Sequence, residues 1–268
     1  MTRYRLTAIA TCATVAALCA AALASMEPAR SAATGRQSAD EQKALAEDTT
    51  EFGEGFVISL GGKLYDDIWV TTGGTAPAGR HPAYPKSLPD IGSDSYRCPA
   101  CHGWDYMGRD GHLGTAAADV PFRNLRDLAG EDPQKIAELI NAAPHILPQG
   151  NMPGLAVEIL ALFISLGQYD RPSFLDGDNR AKGDPARGRN IFEGACMTCH
   201  RPDGRAILTG EKGDRSSLGW IARTRPEQAL HKIINGVPGA EMLSVRFLGA
   251  DQLADLLAYV QTLDPGER

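Results

Sequence analysis

The chain has 268 residues, 27 Lys and Arg against 33 Asp and Glu for a formal net charge of −6, and six cysteines. That length accommodates two domains, and the acidic balance excludes nucleic-acid binding through a general basic field. The 6% aromatic share is low for a core built from polypeptide alone, which leaves room for a buried non-protein group.

The chain opens with Arg3 and Arg5, then an uncharged Ala-rich run from Leu6 to Ser25 that ends in Ala22-Leu23-Ala24. This is the pattern of a secretory signal peptide over residues 1–24. Left uncleaved, the same run would be a weak N-terminal membrane anchor, since it holds mostly Ala and Thr rather than Leu and Ile. The expected location is therefore the periplasm, with membrane association only if the leader stays attached. Cleavage removes two of the 27 basic residues and no acid, so 25 remain against 33 acidic ones and the charge becomes −8. A protein so charged prefers partners that present a basic docking face.

Residues 25–50 are rich in Ala, Ser, Glu and Gln without an apolar stripe and read as a flexible tether. A first domain is expected over 51–170. Its opening element carries Gly61-Gly62-Lys63-Leu64-Tyr65, and a Pro/Gly-rich insertion over 66–97 separates it from Cys98. Asp132-Pro133 marks a helix start with Ile136, Leu139 and Ile140 on one face, and a later helix runs through Ile159, Leu162, Phe163 and Leu166 to Gly167. Residues 171–184 mix Pro, Gly and charge and read as a linker.

The second domain, 185–268, repeats the order more compactly. Gly188 to Phe192 lead by helical spacing to Cys196, Thr224-Arg225-Pro226-Glu227 resembles a capping box opening a helix that stops at Gly236, and a final helix from about Asp251 aligns Leu253, Leu256, Leu257, Val260 and Leu263.

Two of the six cysteines, Cys12 and Cys19, fall in the leader; the other four form Cys98-Pro99-Ala100-Cys101-His102 and Cys196-Met197-Thr198-Cys199-His200. Two thiols three residues apart on a helical turn reach the two vinyl groups of one porphyrin, and the adjacent His lies under the iron as proximal ligand. A thiol redox pair or a Cys₄ zinc site is the alternative. Neither requires a His after both pairs, and a 98-residue separation is long for a zinc ribbon.

On these motifs the chain resembles the class I c-type cytochromes, arranged in tandem as in dihaem electron carriers. The resemblance spans Gly188 to Pro265 and Cys98 to Gly167, while Asp66 to Arg97 departs from the compact family pattern. It implies an all-α fold of two tandem domains, each a few helices around one covalent haem, hence two haem c groups per chain. It also implies a Met as sixth iron ligand in the loop before each last helix: Met152, 50 residues after His102, and Met242, 42 residues after His200. His145 is the rival in the first domain, with His112 and His81 behind it. The resemblance places Tyr65, Phe163, Phe192 and Tyr259 in the contacts between first and last helices. Trp104 and Tyr106 are expected to pack at the haem edge, with a docking face as the alternative.

The implied function is transfer of single electrons between exported redox partner proteins, without a catalytic residue. Two other readings carry distinct expectations. A haem enzyme of the thiosulfate dehydrogenase or peroxidase type needs a spare Cys ligand or an open iron. A subunit of a larger oxidoreductase would use the insertion to dock.

Overall fold

The computed structural model describes residues 39–116, 122–145, 152–209 and 216–266, with side chains from residue 53 except at 115 and 116. The expected signal peptide and the first part of the tether lie outside the described residues. The described residues from 49 on form one compact unit. Among the described residues the chain is helical, with two isolated β-bridges, and no helix is long and apolar enough to cross a membrane.

The first half contains α1 (Ala39–Asp66), α2 (Ile68–Thr72), α3 (Cys98–His102), α4 (His112–Ala116), α5 (Pro133–Ile140) and α6 (Gly154–Leu166). The second contains α7 (Arg171–Phe174), α8 (Pro185–Ile191), α9 (Met197–His200), α10 (Leu218–Thr224), α11 (Pro226–Asn235) and α12 (Ala250–Thr262). Helix α1 reaches back to Ala39, into the expected tether, because Ala, Glu, Gln and Lys are strong helix formers. The start of α5 is as read: Asp132 accepts from Gln134 N, with Pro133 in the first turn. Helix α11 has Pro226 in its first turn and stops at Gly236 as read, but its cap is not the Thr224 box. Its N-cap is Arg225 without a side-chain bond, because α10 continues to Thr224, whose hydroxyl donates back to Trp220 O.

One helix crossing occurs twice. At Gly61 on α1 a Cβ would lie 2.6 Å from Ile159 O and 2.5 Å from Phe163 Cβ on α6; at Gly188 on α8 it would lie 1.9 Å from Asp255 O on α12. Only glycine allows backbones this close. Four residues beyond each glycine an aromatic ring meets one on the partner helix: Tyr65 and Phe163 have centroids 5.7 Å apart, Phe192 and Tyr259 5.3 Å apart. First and last helices of both halves therefore pack on the same plan, as the resemblance implies.

The halves also pack on each other. A Cβ at Gly62 would meet the side chain of Asn235 on α11, so α1 is wedged between α6 and α11. The segment read as a linker is part of this packing, since Phe174 and Leu175 are buried and Arg171 pairs with Glu227 at 2.7 Å. Apolar side chains in a short connection bury themselves in the nearest core rather than face water.

Candidate haem sites

Cys98, Cys101 and His102 lie on the single turn of α3, which Arg97 enters in extended conformation and Gly103 ends at φ 75°. This turn forms one wall of a cavity of about 500 Å³. Leu125, Leu128, Ile136, Ile140, Leu160 and Ile164 supply apolar walls, and Met152 and His145 line the same space. A volume of that size suits a ligand of several hundred Å³ held mainly by apolar contact.

Burial pushes the thiols of Cys98 and Cys101 up to about 12, which makes them poor thiolate redox reagents. Burial also lowers His102 to about 4, so its imidazole is neutral. Its Nδ1 lies 3.0 Å from Arg123 O. A carbonyl can only accept, so Nδ1 carries the proton and Nε2 keeps its lone pair for a metal. Arg109 N donating to Phe122 O and Leu125 N donating to Tyr106 O hold the segment that presents this carbonyl. Arg123 stands apart from the motif, and nothing in the spacing pointed to it.

The insertion over 66–97 closes the cavity. Tyr84 and Leu88 are buried with Phe122 against Ala100 and Cys101, and Arg80 clamps the loop through Pro85 O and Leu88 O. Trp69 lines the cavity, yet its buried Nε1–H finds no acceptor among the described residues. Haem fits this donor set. Two thiols would hold its vinyl groups and a neutral imidazole its iron, and the indole N–H, with Arg97 also on the wall, would suit a propionate.

Trp104 and Tyr106, expected at a haem edge, do not line the cavity beside α3. Both pack on His231 of α11, with ring centroids 5.1 and 6.0 Å away. His231 is buried; its Nε2–H donates to Gly62 O at 2.9 Å, leaving Nδ1 to accept from the Tyr106 hydroxyl at 2.8 Å. Next to it, buried Asp66 pairs with Arg97 and Lys232. Burial alone would raise the Asp66 carboxyl, but Lys232, His231 and Arg97 together hold it below the usual range. This polar joint between the halves was not foreseen, because a lone His on an amphipathic helix carries no signal of its partners.

In the second half Cys196 ends a π-helical turn (Phe192–Cys196), and Cys199 and His200 follow on α9. Cys199 is exposed, and the buried Nδ1 of His200 has no hydrogen-bond partner among the described residues. Met242 is half-buried in the loop between α11 and α12, where its carbonyl accepts from Lys63. Its neighbours Leu243 and Phe247 are 80% and 73% exposed. This site shares the Cys-Cys-His turn of the first and is more open.

No curated protein matches the chain. The family model described as Cytochrome c matches residues 185–264, which supports a c-type cytochrome with covalently bound haem c and a haem-based role in electron transfer.

Proposed function

We propose that this chain is a dihaem c-type cytochrome that passes single electrons between exported redox partners. One haem is held by Cys98, Cys101 and His102, the other by Cys196, Cys199 and His200, and bound haem supplies one-electron iron chemistry. The observation that carries the second haem beyond the matched residues is the cavity beside α3, whose wall brings together two thiols, a neutral imidazole with a free Nε2 and an unpaired indole N–H. The recurrent glycine crossing supports the same tandem plan.

Each side chain has a defined task. The thiols anchor the macrocycle, the Arg123 carbonyl orients the proximal imidazole, and the apolar wall excludes water, which limits reorganisation when charge arrives. Met242 is the proposed sixth ligand of the second iron; for the first, Met152 and His145 both reach the cavity. The net negative charge favours partners with a basic docking face.

Intact-mass measurement and haem-stained denaturing gels of the protein matured in a host that attaches haem c test the reading. Two covalent haems per chain are expected. A single haem, lost on Cys196→Ala/Cys199→Ala and retained on Cys98→Ala/Cys101→Ala, would overturn the tandem assignment.

A further inference from the structure

We infer that the sixth ligand of the first haem iron is His145 rather than Met152. The inference rests on the dihaem reading above and deepens it.

Three histidines line the cavity: His81, His102 and His145. Their hydrogen bonds separate them. Nδ1 of His145 lies 3.1 Å from Leu139 O and so donates to it, just as Nδ1 of His102 donates to Arg123 O at 3.0 Å. Each ring therefore has its proton on Nδ1 and, among the described residues, an uncommitted lone pair on Nε2, the arrangement that second-shell carbonyls impose on ligating histidines. His81 has the opposite tautomer. Its Nδ1 accepts from Ala83 N at 3.0 Å, which puts the proton on Nε2 and leaves no lone pair for a metal.

The separation agrees. The rings of His102 and His145 have centroids 6.2 Å apart with 33° between their planes. A metal-to-imidazole bond is ~2 Å and the ring centre lies ~1 Å beyond its nitrogen, so two imidazoles on opposite sides of one metal have centres ~6 Å apart. His145 is also anchored, since Leu139 belongs to the last turn of α5 and Ile136 and Ile140 from that helix wall the cavity. Met152 lines the cavity too, but it packs against the apolar core cluster as a flexible thioether does when filling space.

The ligand choice sets direction. A second imidazole gives a lower potential than a thioether, so with Met242 on the other iron the first haem is the stronger reductant. Electrons would then enter at Cys98/Cys101 haem and leave from Cys196/Cys199 haem.

The test is near-infrared magnetic circular dichroism and redox titration of the full-length holoprotein, alongside His145→Ala, His145→Met and Met152→Ala. The unmodified protein should show a sulfur-to-iron charge-transfer band from one haem and none from the other, with two separated potentials. His145→Ala should make one haem high-spin and able to bind carbon monoxide, His145→Met should shift the lower potential upward, and Met152→Ala should leave both haems low-spin. Sulfur bands from both haems, or a high-spin haem in Met152→Ala with both low-spin in His145→Ala, would overturn the assignment. The band count in unmodified protein decides even if a variant fails to fold. Two covalent haems with two sulfur bands would remove the ligand inference alone, whereas absence of haem at Cys98/Cys101 would remove the dihaem reading with it.

Discussion

The two halves of the molecule each carry a Cys-Cys-His turn and a glycine-centred helix crossing, and they differ in how much of a candidate haem site the polypeptide builds by itself. In the first, the 66–97 insertion walls the cavity, Cys98 and Cys101 are largely shielded, and the proximal His102 already has its carbonyl. In the second, Cys199 is exposed, His200 Nδ1 lacks a partner among the described residues, and Leu243 and Phe247 face outward. A domain of about 80 residues buries a smaller fraction of its surface than a longer one, so the compact half would leave more of its core to be supplied by a bound macrocycle. The longer half uses extra chain for that purpose.

The largest effect should come from removing each haem in turn. Cys196→Ala/Cys199→Ala is expected to unfold most of the second half, whereas Cys98→Ala/Cys101→Ala should remove one haem and keep most helix in both halves. Far-UV circular dichroism with haem stoichiometry checks this, and equal losses from the two pairs of substitutions would break the comparison.

A smaller effect concerns the joint that couples the halves. Burial lowers His231 from 6.5 to about 4, with Asp66 opposing the shift and Lys232 and Arg246 reinforcing it; the hydroxyls of Tyr65 and Tyr106 are the other titratable groups against it. The folded value lies below the unfolded one, so the neutral ring contributes its full stability above pH 6.5 and loses it progressively as pH falls toward 4. The amount at stake is about 3 kcal/mol. Asp66 acts in the same sense lower down, since its depressed carboxyl contributes above the ordinary value of 3.8 and loses that contribution on further acidification. Urea midpoints at pH 7 and pH 5 should differ accordingly, and His231→Phe should flatten that slope. A midpoint independent of pH in the unmodified protein would show that His231 is not buried neutral at the joint.

The smallest effect is expected at the edge of the same interface. Arg171 and Glu227 pair at 2.7 Å while partly exposed, with 24% and 17% of their side-chain surface accessible. Arg171→Ala should cost under about 1 kcal/mol, and less at high salt. A loss of several kcal/mol in a denaturant titration would mean that this contact, rather than the buried Tyr106, His231 and Gly62 chain, holds the halves together.

What was legible in the sequence was local. The attachment turns follow from two cysteines and a histidine within five residues, and the ends of α5 and α6 follow from Asp132-Pro133 and Gly167, because a cap or a turn is decided by neighbours along the chain. The aromatic pairs of the helix crossings were expected from the family resemblance, and both pairs are in contact. The Thr224 capping box failed for the converse reason: a local pattern lost to a preceding helix that claimed the same residue.

Only tertiary structure brought the Arg123 carbonyl under His102, His231 of α11 onto Gly62 of α1, and the 66–97 insertion over Cys101. The sequence by itself marked the two turns at which haem would be attached, since thioether chemistry needs residues a single turn apart. For the far side of the iron the family resemblance pointed to Met152, with His145, His112 and His81 as rivals; which of these line the cavity, and which ring nitrogen each histidine leaves open, is set only when the chain folds.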